Sequence, residues 1–181
     1  TGNNGTAKWF AAFRVKPADF GAGQQVYACM GTSGASANRA RITISNTTGT
    51  IGFDIFVSGF NGRNYLTAGA LSAAAWNHIY VIFDGSKTAE ADLDGATTDA
   101  KVRIAFGNTF QALTAADQGT GGLPSAMLAA TGTACLFAAT DSDTPSSPLR
   151  NGGQAGPNYF TGDDSLTTAE LADIVGYESP T

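Results

Sequence analysis

Apolar residues recur at every second position along much of the chain, the spacing of half-buried strands rather than helices. In "KWFAAFRVKP" the residues Trp9, Ala11, Phe13 and Val15 share one face, predicting a first strand from about 7 to 15 that ends before Pro17. "QQVYACMG" and "RARITIS" read as the next strands. "IGFDIFVSGFNGRNYLTAG" reads as two strands joined at Asn61-Gly62, a pair that tolerates the positive φ a two-residue hairpin turn requires. That turn sets Val57 opposite Leu66, so Ile51, Phe53, Ile55, Val57 and Leu66 fall on the inner face, with Phe56 and Tyr65 on the outer one.

The scheme repeats in "WNHIYVIFDGSKTAEADLDG": a strand from about 77 to 83, a turn at Asp84 to Lys87, and a return arm from about 88 to 94 carrying Glu90, Asp92 and Asp94. A further strand is expected over 99 to 106. The pattern weakens from 107 to 132, where "QGTGGLP" is a glycine-rich break, and returns near 133 to 139. The polar run "DSDTPSSPLRNGGQAGPN" predicts a surface loop, of a length that usually carries function or disorder. One helix is expected, at the end: Thr167 and Glu170 form a capping box, Leu166 and Leu171 a hydrophobic staple, and Gly176 a stop, with Leu171, Ile174 and Val175 facing the sandwich. Without repeats, heptads or a linker, residues 1–181 read as a single all-β domain, an antiparallel β-sandwich with one short C-terminal helix.

Composition supports this reading. The chain has 23 Gly and 11 Phe but only 14% charged residues, which suits short strands and tight turns. Its formal net charge of −5 opposes a phosphate backbone and argues against nucleic acid as a partner. No apolar run is long enough to span a membrane, and the polar opening "TGNNGT" shows no signal peptide. Thr1 fits removal of an initiator Met, a cleaved leader or a domain excised from a longer protein. Cys29 and Cys135 lie in apolar strand-like runs without metal-ligand spacing. Two packed thiols are the favoured reading, with a disulfide as the alternative.

Three segments carry a family likeness. "KWFAAFRVKP", "LSAAAWNHIYVIFDGSKTAEADLDG" and "YFTGDDSLTTAEL" resemble, in order and spacing, the laminin-G-like and pentraxin-like branch of the concanavalin A-like lectin and glucanase superfamily. The likeness departs where only Asp163, Asp164 and Ser165 separate Gly162 from the expected helix. It implies a jelly roll of two antiparallel sheets and, for modules of this kind, non-catalytic binding of a glycan or surface polysaccharide, displayed on a virion or outside a cell. The short chain, rich in Gly, Ala and Thr, resembles bacteriophage virion modules in particular. The alternatives are a structural capsid-decoration or tail protein, which contacts other subunits and uses the fold as a scaffold, and a glycoside hydrolase.

The hydrolase reading rests on Glu90-Ala-Asp92-Leu-Asp94, because alternate strand residues face one way and two carboxylates must flank the sugar. Asp94 is one methylene short and precedes Gly95, where turn chemistry explains it, and the other glutamates of the chain are Glu170 and Glu178 near its end. A solvated hairpin face and no catalysis is the expectation. Trp9 and Trp76 read as core, and His78, on the face of Tyr80 and Ile82, as structural. Phe56 and Tyr65 on an outer face, with Arg150 and Tyr159 near the polar loop, are the candidate glycan contacts. Asp141, Asp143, Asp163 and Asp164 flank that loop and are the candidate ligands of a Ca²⁺ ion, which takes clustered oxygens.

Overall fold

In the computed structural model, residues 8–20, 25–31, 39–45, 47–57, 61–118, 122–123, 134–136 and 153–161 are described. Among them twelve strands form two six-stranded sheets. In the first sheet, β12 (Gln154–Thr161), β1 (Lys8–Lys16), β6 (Asn77–Asp84), β8 (Ala100–Phe106) and β7 (Ala89–Ala91) lie in that order, with β9 (Thr109–Phe110) also on β8. The order in the second is β10 (Leu113–Gln118), β5 (Asn61–Ala70), β4 (Thr50–Val57), β3 (Arg39–Ile44), β2 (Gln25–Gly31) and β11 (Ala134–Leu136). Every pairing is antiparallel except β7 with β8.

Period-two patterning builds the core. Ala11, Phe13 and Val15 of β1, Ile79, Val81 and Phe83 of β6, and Val102 and Ile104 of β8 face Ile42, Ile44, Ile51, Phe53 and Ile55 of the second sheet, all essentially without solvent contact. A fully buried side chain of this size contributes about 1.5–3 kcal/mol, so this layer holds the two sheets together. The first sheet is also apolar outside, where Phe10, Ala12, Tyr80 and Ala105 form a second buried cluster with Ile82 and Phe110 against it.

Three expectations are corrected. Asn61 and Gly62 do not form the hairpin turn: they lie in β5, Asn61 pairs with Val57, and residues 58–60 make the connection. Phe53 therefore pairs with Tyr65 and Gly52 with Leu66. This odd shift of register exchanges the two faces of β5, so Tyr65 enters the core and Leu66 leaves it. The gain is the burial of an aromatic ring larger than Leu, with a partner for its hydroxyl, which outweighs a local turn preference.

The acidic stretch is not the return arm of a hairpin. Both edges of β6 are taken, by β1 and β8, so the chain turns at Asp84 to Lys87 as expected but passes on to pair parallel with β8. Residues 154–158, read as loop, belong to β12. Pro157 is tolerated there because β12 is an edge strand, and its register with β1 breaks between Phe13 and Val15, as at a bulge. The expected C-terminal helix lies outside the described residues. Among those residues no helix is long and apolar enough to cross a membrane.

Candidate functional site

The loop between β5 and β6 presents an aromatic side chain at one end of the first sheet. Asn77 holds it in place: its Oδ1 accepts from the Ser72 amide at 2.9 Å, and its Nδ2 donates to the carbonyls of Ser72 at 2.9 Å and Ala75 at 2.8 Å. The Ala74 amide donates to Pro17 O at 2.7 Å, and Ala74 takes the left-handed conformation with φ 56°, a strained one for a residue with a Cβ. Strain of this kind persists only where the surroundings impose it. The loop delivers Trp76, which is 40% exposed, in place of the core position expected for it. Trp9 pairs with Phe83 in β1, and its side chain is outside the described part.

Arg14 covers one region of the indole. Its guanidinium carbon lies 4.7 Å from the ring centroid, a cation–π contact that orients both groups. The β12 irregularity is opposite this pair, and Gly156 makes room for it: a Cβ there would stand 2.9 Å from Arg14 Cβ and 3.4 Å from Trp76 Cζ3. His78 is the cross-strand partner of Arg14. Its pKa lies below the ordinary 6.5, chiefly because burial disfavours the imidazolium and then because the Arg14 charge repels it. The result is a cation, a neutral imidazole and an exposed indole at one corner. It can stack on a flat apolar face and exchange hydrogen bonds with hydroxyl or carboxylate groups.

The acidic residues are occupied otherwise. Glu90 Oε2 accepts from the Tyr65 hydroxyl at 3.2 Å and Oε1 from the Leu123 amide at 2.8 Å. Asp92, 0% exposed, pairs with Arg103 Nε at 3.2 Å and accepts from the Thr97 amide at 2.9 Å. The solvated face expected for these acids is thus corrected at Asp92, whose charge is buried against a cation that also stacks on Phe110 at 3.6 Å. Asp94 does make the turn read for it, with Gly95 at φ 78° beside it. Its pKa is pushed down to about 2, first by the Ala96 amide and then by the Thr97 hydroxyl. Each of the three carboxylates thereby braces the segment from 89 to 97.

The other predicted positions divide three ways. Tyr65 is buried between the sheets, at 4% exposure, and offers no outer surface. Phe56 lies in β4 opposite Arg39 and Gly62, and Tyr159 in β12 opposite Ala12; their side chains are outside the described part. Arg150, Asp141, Asp143, Asp163 and Asp164 lie outside the described residues. Among the described residues no three His, Cys, Asp or Glu side chains gather as a metal site would need. Arg14 and Trp76 were missed, although strand parity marks both: Trp76 shares the outward parity of His78 and Tyr80, and Arg14 that of Phe10 and Ala12.

No protein-family model matches the chain, and no curated protein matches it. Solved structures do. The CBM40 of the Ruminococcus gnavus IT-sialidase bound to α2,3-sialyllactose superposes with a TM-score of 0.63 at 12% identity, over 95% of this chain and 83% of that one. The same module bound to α2,6-sialyllactose gives 0.61 at 14% identity over 95% and 84%, and a further structure of the module 0.62 at 14% over 95% and 84%. At such identities the likeness establishes the fold. The chain is an all-β sandwich of two sheets with the fold of that module.

Proposed function

We propose that the protein is a non-catalytic glycan-binding module that takes its sugar at the Trp76 corner. The observation that carries this reading is the exposed indole of Trp76, fixed by the Asn77 clamp and by Arg14. A sugar ring offers an apolar C–H face to such a surface, while a few convergent polar groups, here Arg14 and His78, set its orientation. Arg14 favours an anionic sugar, and sialyllactose, held by the similar solved modules, is the natural first probe. Tyr159, in the edge strand beside β1, and Arg150 are further candidates for the glycan, and Phe56, in the other sheet, is a candidate apart from this corner.

The expected helix over 167–175 has a structural part in this reading. Leu171, Ile174 and Val175 would dock it on the sandwich. Asp141, Asp143, Asp163 and Asp164 are kept as the place for a Ca²⁺ ion, whose binding would raise the melting temperature. Display on a virion or cell surface is the setting that fits a glycan partner.

The test is calorimetric titration of the protein with α2,3-sialyllactose, α2,6-sialyllactose and lactose, beside a glycan array. Saturable binding is expected, weakened at least about tenfold, or about 1.4 kcal/mol, in Trp76→Ala. Absence of any saturable glycan overturns the function, and binding that is unchanged in Trp76→Ala moves the site elsewhere. Release of reducing sugar by the wild type that is lost in Glu90→Gln would establish a hydrolase instead.

A further inference from the structure

The chain contains two cysteines, and the second sheet brings them together. Cys29 and Cys135 are 135 − 29 = 106 positions apart in sequence, yet β11 pairs with β2 so that Cys135 is the direct cross-strand partner of Cys29, between Ala134 with Met30 and Leu136 with Ala28. Directly opposed residues of an antiparallel pair share a face, with Cα atoms about 4.5 or 5.5 Å apart. A disulfide spans about 4.4–6.8 Å between Cα atoms, so the backbone pairing sets the two cysteines at a separation that a disulfide can bridge.

The position explains what the bond would do. Among the described residues β11 is an edge strand of three residues that pairs with β2. Three residue pairs make a short pairing, and a covalent link at the middle pair makes it permanent. We infer that Cys29 and Cys135 form a disulfide that staples edge strand β11 to the second sheet. In its formation each thiol gives up a proton and one S–S bond forms, while the S–S bond of a small-molecule disulfide such as glutathione disulfide breaks and takes up the two electrons and two protons as two thiols. Loop closure over about 100 residues in the unfolded chain is the regime in which such a bond stabilises most.

The experiment uses the full chain, equilibrated with glutathione disulfide, then unfolded in guanidinium and titrated for thiols, with a non-reducing gel alongside. No free thiol in a monomeric band is expected, and two after reduction. The melting temperature should fall by roughly 10 °C on reduction. In a Cys29→Ser, Cys135→Ser double variant it should be insensitive to reductant; should that variant not fold, the wild-type titration and its reductant-dependent melting still decide. Two free thiols after oxidation, or a disulfide-linked dimer, overturn the inference. A bond that forms without raising the melting temperature overturns the stapling role.

Discussion

Tyr65 of the second sheet donates its hydroxyl to Glu90 of the first, at 3.2 Å from Oε2. The contact ties β5 to β7, and Glu90 passes the tie on to the Leu123 amide through its other oxygen. A hydrogen bond to a charged acceptor contributes about 1.5–3 kcal/mol, and leaving its donors unsatisfied costs a comparable amount. Tyr65→Phe and Glu90→Ala should therefore each lower unfolding free energy by about 1–3 kcal/mol in urea titration, with sialyllactose affinity unchanged. Loss of sugar binding at full stability in either variant would assign Glu90 to the ligand.

Asp92 and Arg103 give a sharper contrast between burial and function. Asp92 has no solvent contact, and removing one partner of a buried ion pair typically costs about 3–5 kcal/mol because the other charge stays behind. Arg103→Leu should destabilise by about that amount. The Asp92→Leu, Arg103→Leu double variant should recover part of the loss, since neither charge then remains. Equal destabilisation by the single and double variants would mean that packing of Arg103 on Phe110, and not its charge, is what matters.

Much of the fold was legible because its strands are buried on one side. Ala11, Phe13 and Val15, or Ile79, Val81 and Phe83, state their strand and its inner face without reference to anything distant. Pairing was less legible. Asn61-Gly62 is a strong local signal for a turn, but the register of β4 on β5 was decided by whether Tyr65 or Leu66 should be buried, a choice made across the sandwich. The acidic stretch could not reveal its parallel partner, because nothing within 88–94 says that β1 and β8 already flank β6. Trp76 was misread for a smaller reason. Its size suggested core, while its parity, shared with His78, pointed outward. The two-sheet sandwich was readable from three spaced segments, whereas the bulge that brings Gly156 beneath Arg14 depends on β12, whose Pro157 conceals a strand.

His78 should titrate below 6.5 in the folded protein, followed by its ring resonances in NMR. Because the folded value is depressed, the stability His78 contributes is present above pH 6.5 and is lost as pH falls through the folded value. Arg14→Met should move the titration upward but not fully to 6.5, since burial, the larger cause, remains. A midpoint at or above 6.5 in the wild type would remove the neutral imidazole from the corner, and an unmoved midpoint in Arg14→Met would show that the cation does not act on it.

Gly156 is the residue whose replacement should separate the site from the sandwich. A side chain there meets Arg14 Cβ at 2.9 Å and Trp76 Cζ3 at 3.4 Å, so Gly156→Val must push either the strand or the arginine–indole pair aside. Arg14 Cβ is anchored in β1, whereas Trp76 sits in the loop ahead of β6 with 40% of its surface exposed. The 3.4 Å approach to the indole is ordinary contact, however, so the 2.9 Å contact with Arg14 Cβ is the one that must be relieved, by movement of β12 against β1. Overpacking usually costs about 1–3 kcal/mol, and a clash with an atom anchored in a strand should put the loss near the upper end of that range. The expected result is a fall in stability of that size, a changed tryptophan fluorescence as the Arg14–Trp76 pair is displaced, and a loss of sialyllactose affinity as large as that of Trp76→Ala. Gly156→Ala, with a single methyl group, should lie between the wild type and Gly156→Val in all three measurements. A Gly156→Val protein that binds sialyllactose with wild-type affinity would show that the ligand does not depend on the Arg14–Trp76 arrangement, and the site would have to be sought away from this corner.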